Sequence, residues 1–370
     1  MQSTPNLTQR LYSLDALRGF DMLWIIGGDR LVNNLAQATD HPFWKAFDEQ
    51  LHHPYWNGFT AYDLIFPLFM FVAGVSVPYS VGRDIEKGRS KLQILKKVMV
   101  RGLILIVLGM IYNNGIELTP LEQFRFPSVL GKIGASYIFA NIIYLYAGRM
   151  AHVSWFAGLL IFYWLLLKFM SAPGFSPGDL TEPGNFMSYF DRTVLPGRLS
   201  RNIHDTVGLL NLITGTCTIL AGIITGIYLR NNPESPSKKV LWFLIAGTGL
   251  IGLSLLWNID FPINKNLWSS SFVLLTTGLS LLLLAVFYYV IDVKGYKKWT
   301  LFLRVIGMNS ILIYMSGKFI NWEYAANGFF KWLIQAVGKP YDEAMLTVCI
   351  IFVEWMFLYF LYKKKVFLKV

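Results

Sequence analysis

The chain reads as an all-α polytopic membrane protein, a bundle of about ten transmembrane helices with both termini in the cytoplasm. Three observations predict this. Of 370 residues, 54% are hydrophobic and only 15% charged, against roughly 25% charged in ordinary soluble domains. Stretches apolar and long enough to cross a hydrocarbon core, about 20 residues each, recur along the whole length. The basic residues gather in short clusters between alternate stretches, which is the pattern that sets orientation in a bilayer. The whole of 1–370 is expected to form a single transmembrane domain.

The ten stretches are 12–35, 60–81, 95–112, 128–147, 152–170, 207–229, 239–256, 268–290, 301–321 and 344–362. The first follows a polar N-terminus and carries Asp15, Arg18 and Asp21 toward one end, Asp29 and Arg30 toward the other. No small-residue cleavage pattern closes it, so it is read as a retained helix. Asp15 and Arg18 stand i,i+3 and can pair along it. After the second stretch comes GRDIEKGRSKLQILKK, whose Arg83, Lys87, Arg89, Lys91, Lys96 and Lys97 put that connection in the cytoplasm. Arg149, then Arg230 with Lys238 and Lys239, then Lys294, Lys297, Lys298 and Arg304, and finally Lys363, Lys364, Lys365 and Lys369 fall on the same side. The other face carries the longer connections 36–59, 113–127, 171–206, 257–267 and 322–343. Of these 171–206 is an extracytoplasmic loop rich in turn residues and long enough to expect a role of its own.

Several function classes drop out. A net charge of +11 could suggest nucleic acid, but the charge is spent in orienting clusters, so no nucleic-acid partner is expected. Cys217 and Cys349 both lie in apolar runs, and neither a disulfide framework nor a cysteine metal site is indicated. No metal is expected. Walker and dinucleotide fingerprints are missing, and no inverted repeat of the transporter kind is evident.

The most informative stretch is His52 to Ser76, HHPYWNGFTAYDLIFPLFMFVAGVS. Histidines at a membrane edge run into an apolar span that opens on Asp63. An acid there is costly and is a functional candidate by default, and histidine is the side chain suited to proton transfer near neutral pH. The plainer readings stay open: Tyr55 and Trp56 anchor the interface while the histidines are merely solvated, and Asp63 favours a helix start through the dipole. Pro67 is expected to kink the second span, with Gly74 and Ser76 offering a small face for close helix contact. Asp29 should reach the level of His53. Lys132, in RFPSVLGKIG, and Lys265, in NKNLWS before Trp268, stand on the outer side against the charge bias; they snorkel or face an anionic group. Asn309 and Ser310 place an amide and a hydroxyl inside the ninth span, where they need partners.

Taken together, SLDALRG (13–19), the 52–76 stretch, RFPSVLGKIG (125–134), INKNLWSSSFV (263–273), DVKG (292–295) and GMNSILIY (307–314) resemble the heparan-alpha-glucosaminide N-acetyltransferase family of transmembrane acyltransferases. The resemblance implies transfer of acetyl from cytosolic acetyl-CoA, the co-substrate, to the amine of a glucosamine-type sugar across the membrane, in a bacterial inner membrane and, as in the family, as a homodimer. It singles out His53, three residues before the Trp-Asn-Gly triplet, as the general base. Asp29 or Asp63 then orients it, and Asn57, Asn309 or Lys265 steadies the oxyanion, with Lys132 and Trp268 on the binding side. The sequence departs from the family pattern at Asp29, at Gly131-Lys132, at Asp205-Thr206-Val207-Gly208, and at Lys318, which replaces a histidine. These changes fall on the acceptor side. The rival reading is an amino-sugar or solute transporter, which shares the bundle but needs no acetyl-CoA.

Overall fold

A computed structural model describes residues 11–116, 120–148 and 150–368, so the polar N-terminal stretch, Arg149 and Lys369 fall outside the described residues. The described chain is helical, with three isolated bridges and no strand among the described residues. Its helices are α1 (Tyr12–Leu23), α2 (Asp29–Thr39), α3 (Pro42–Glu49), α4 (Ile65–Val75), α5 (Val77–Glu86), α6 (Lys91–Asn114), α7 (Val129–Tyr146) and α8 (Ala151–Phe169). There follow α9 (Phe186–Val194), α10 (Leu212–Asn231), α11 (Pro236–Trp257), α12 (Ser270–Phe287), α13 (Leu301–Met308), α14 (Ser310–Phe319), α15 (Trp322–Val337) and α16 (Asp342–Lys363).

Each of the ten expected stretches is occupied by helix. Seven helices are long and apolar enough to cross a bilayer, or up to eight if the pair α13–α14, bent by 58° at Asn309, is one span. The first stretch and α6 fall outside that measure, and both carry several charges in helix. Starts are fixed by side chains that satisfy free backbone N–H groups. Ser90 and Gln93 cap α6 reciprocally, Ser128 accepts from Gly131 N at α7, and Ser269 accepts from Phe272 N at α12.

Two expectations need correction. Pro67 lies in the first turn of α4, where an intrahelical N–H is not needed, so it does not break the span. The interruption comes instead at Ser76, before the Pro78 that lies in the first turn of α5. The connections expected in 36–59, 171–206 and 322–343 are also not bare loops: they contain α3, α9 and α15. All three run 16 residues or fewer, too short for a span by hydropathy.

Small residues set the helix contacts that build the site. A Cβ on Gly74 of α4 would strike the carbonyl of Ile219 on α10, and one on Gly222 would strike that of Phe71. These two helices therefore meet backbone to backbone, as small residues allow in membranes. Gly19 of α1 and Gly307 of α13 do the same against Leu303 and Asp15. Between α1 and α2 the chain passes through a widened turn at Trp24–Gly28, with Gly27 at φ +143°.

Candidate active site

The site starts at Thr60. Its backbone N–H donates to Asp63 Oδ2 at 3.1 Å, which caps the short helical turn Ala61–Leu64 that leads into α4. This occupies one carboxylate oxygen. The other, Oδ1, lies 2.7 Å from His53 Nδ1 and 3.2 Å from Lys265 Nζ. One carboxylate oxygen thus serves the start of the helical turn, and the other faces the histidine and the lysine. Asp63 is fully buried, whereas the His53 side chain is 42% exposed. The Lys265 amine sits 3.0 Å from His53 Nε2 and 3.2 Å from Nδ1. Burial lowers the pKa of Lys265, with the Asp63 charge opposing the shift.

Lys265 is delivered by a tight turn. Trp268 N donates to Lys265 O at 3.1 Å, and Ser269 N to Asn264 O at 3.1 Å. The Asn264 side chain accepts from Leu267 N at 2.8 Å. Trp268 itself is fully buried with φ +53°. A bulky residue in the left-handed region costs about 1–3 kcal/mol and persists only where its surroundings dictate it. The Trp268 indole N–H donates to Thr218 Oγ1 at 3.1 Å, and Lys132 Nζ stands 3.5 Å from the centre of its ring.

His53, Asp63, Lys265 and Trp268 line a cavity of about 310 Å³ together with Tyr62 and Arg201. The 171–206 loop closes the far wall through Arg201 and Thr206, with Val207 just beyond it. Several contacts pin that wall. Trp56 Nε1 donates to Leu180 O at 2.8 Å, and Arg125 donates twice to Asp205 at 2.9 Å. His204 Nδ1 lies 3.2 Å from Glu182 Oε1 while its ring meets Trp56 edge to face. Burial lowers the pKa of His204. On α9, burial and then the Asp205 charge push the Asp191 carboxyl up to about 7.

The remaining candidates are placed as follows. Asp29 accepts from Tyr62 Oη at 2.9 Å, and the Tyr62 ring is 5.1 Å from that of His53. Asp29 thus reaches the histidine through a tyrosine. Asn57 Oδ1 accepts from Asn264 Nδ2 at 3.0 Å and ties the two loops together. Lys132 is buried behind Trp268 and not in the cavity. Asn309 holds the C-terminal tail, donating to Val366 O and accepting from Leu368 N, both at 3.0 Å. Lys318 is exposed and away from the cavity.

A second chamber, of about 490 Å³, lies further along the same helices and is lined by Arg18, Lys97, Arg101, Tyr137 and Ser310. Between the two is a waist of about 50 Å³. Four helices line all three in register. On α4 the order is Phe66, Phe69, Ala73; on α7 Val129, Ile133, Tyr137. On α14 it is Tyr314, Ile311, Ser310, and along the first stretch Ile25, Met22, Arg18. From Asp63 to Ala73 the rise is about 15 Å at 1.5 Å per residue. Arg18 donates to Ser76 Oγ at 2.6 Å, Lys97 to Asp84 at 2.8 Å, and Arg101 stands 4.9 Å from the Tyr137 ring centre. Sequence reasoning did not assign this chamber. Arg18 stands out in the sequence only as a pairing charge and Lys97 only as an orienting one, Arg101 is not singled out at all, and nothing in their spacing says that they converge.

Known proteins bear on this geometry. The profile of the family described as heparan-alpha-glucosaminide N-acetyltransferase, catalytic, matches residues 10–247. The mouse heparan-alpha-glucosaminide N-acetyltransferase is 30% identical over 86% of this chain and 56% of its own length. The human protein of that name is 27% identical over 98% of this chain and 60% of its own. The chain therefore spans less than two thirds of the length of these curated relatives.

Proposed function

The chain belongs to the heparan-alpha-glucosaminide N-acetyltransferase catalytic family, and on that premise we propose that it moves acetyl from acetyl-CoA to the amine of a glucosamine-type sugar. The observation that carries this is the shaft: a His–Asp–Lys cluster in an open chamber, joined through an apolar waist to a chamber lined by three cations. A CoA thioester has matching parts. Its phosphates suit Arg18, Lys97 and Arg101, its pantetheine arm suits the waist, and its thioester carbon would arrive beside His53.

The acceptor ammonium must first lose a proton to solvent, because nitrogen needs a lone pair to attack. In the chemical step the N–C bond forms, the second nitrogen proton passes to His53 Nε2, and the C–S bond breaks. His53 returns that proton to the leaving thiolate. Asp63 at Nδ1 fixes the tautomer that leaves Nε2 free to accept, and it steadies the imidazolium while that exists. Lys265, on a long flexible stem, turns from the imidazole to the oxyanion of the tetrahedral intermediate. Transfer is direct; recovery of an acetylated His53 from protein given acetyl-CoA alone would overturn that. In this reading the ten helical stretches all cross a bacterial inner membrane with both termini inside. The cluster Arg83–Lys97 and the Lys363–Lys365 tail support that orientation, and His53 faces outward.

The transporter reading meets an obstacle at the waist. A sugar ring would have to strip water from a surface covered in hydroxyls to pass about 50 Å³ lined by Met22, Ile25, Phe66, Phe69 and other apolar side chains, a larger cost than that of the few polar groups spaced along a pantetheine arm. The test is purified protein with acetyl-CoA and a panel of amino sugars, followed by free thiol. Amine-dependent thiol release is expected, and its absence across the panel would sink the assignment.

A further inference from the structure

Asp21 has no part in the chemistry above. It lies on α1, is 1% exposed, and neither carboxylate oxygen has a hydrogen-bond partner among the described residues. No basic side chain among the described residues stands at ion-pair distance from it. An uncompensated acid at such a position is expensive and asks for a counter-charge. It lines a cavity of about 160 Å³ whose other walls are four aromatic residues, Phe20, Trp24, Phe47 and Tyr62, and five aliphatic ones, Leu51, Ala61, Leu64, Ile65 and Leu68. Trp24 meets Phe20 edge to face at 6.0 Å and Phe47 at 5.8 Å. The Tyr62 hydroxyl is committed to Asp29, so Asp21 is the only carboxylate on these walls.

We propose that this cavity binds an organic ammonium group, with Asp21 as its counter-ion and the rings of Trp24, Phe47 and Phe20 as its cage. Aromatic faces attract a cation by their quadrupole and suit alkylated ammonium best. A hard metal ion would need some six oxygen ligands, and these walls do not supply them. A polar sugar would find one acceptor and several rings. The same chemistry comes from two sources, a soluble alkylamine or the headgroup of an ethanolamine or choline lipid. α3, which supplies Phe47, is amphipathic and leaves Phe43 61% exposed, as a helix lying at headgroup depth would.

The inference does not depend on acetyl transfer, and its test reads binding alone. Full-length protein in detergent is melted with choline, with ethanolamine, with the uncharged carbon isostere of choline (dimethylbutanol) and with sodium chloride. Choline or ethanolamine should raise the melting temperature by several degrees, and the isostere and the salt should not. Asp21→Asn should abolish the shift. Phe47→Leu, which keeps the bulk and removes the ring, should weaken choline binding roughly threefold or more, and serves if Asp21→Asn does not fold. In nanodiscs, stabilisation by phosphatidylethanolamine over phosphatidylglycerol that is lost in Asp21→Asn assigns the lipid source; a response to soluble amine alone assigns the other. Equal shifts with the isostere, an undiminished response in both variants, or no response of the wild type to either source overturns the proposal.

Discussion

The two chambers of the shaft, named outer (at His53) and inner (at Arg101) after the orientation proposed above, differ in how their charges are held. In the outer chamber His53, Lys265 and Asp63 lie within 3.2 Å of one another, and the acid is fully buried. In the inner chamber the three cations lean on different partners: a serine, a carboxylate and an aromatic ring. The first arrangement is a fixed constellation that can handle a proton. The second is a loose basic patch that can neutralise phosphates without demanding one geometry. One end should therefore govern turnover and the other donor affinity.

Breaking the outer end should cost most. His53→Ala should lower kcat roughly 10²–10⁴-fold while acetyl-CoA still binds, measured by thiol release and by calorimetry. An unchanged kcat would remove His53 from the chemistry. Asp63→Asn should lower kcat by about 10²-fold through the wrong imidazole tautomer, because the amide can donate to Nδ1. Its oxygen can still cap the turn, so the melting temperature should move little; a collapse in stability would make Asp63 structural first.

The inner end should answer in KM. Arg18→Ala and Arg101→Ala should each raise the KM for acetyl-CoA about tenfold, from the loss of one charge-assisted contact, with kcat nearly kept. A drop in kcat with unchanged KM would place the donor elsewhere.

The smallest effect concerns the wall of the outer chamber. The Asp191 pKa is raised to about 7 in the fold, above its ordinary unfolded value. Its contribution favours the folded state fully below that ordinary value and is lost as pH rises through about 7. The wild type should therefore gain melting temperature over Asp191→Asn as pH falls from about 8 to 5. His204, whose pKa burial lowers, works in the opposite sense in both proteins and cancels in the difference. A flat difference between the two would remove Asp191 as a titrating group.

Helix positions and the His53–Asp63 pair were legible in the primary structure. A span needs only about 20 apolar residues, and ten residues across one turn bring the histidine to the acid. The sequence puts Asp29 toward the same end of the bundle as His53 but gives no sign of Tyr62, which stands between them. Lys265 stood out as a charge on the unexpected side, but no pattern tied it to a histidine 212 positions earlier. Arg201, Arg18, Lys97 and Arg101 gave no sign of facing a cavity, and the short helices α3, α9 and α15 were hidden in polar connections.

The reason is physical. A helix that meets lipid on one side and protein on the other is apolar all round, so hydrophobic periodicity, which marks the inward face of a soluble helix, says little here. Composition and charge bias by themselves determined that the chain is a helical membrane bundle and which stretches form it. Only tertiary packing decided which faces meet. Gly74 against Gly222 and Gly19 against Gly307 bring α4 to α10 and α1 to α13 at backbone contact, and that close approach leaves four helix faces aligned along one shaft from His53 to Arg101.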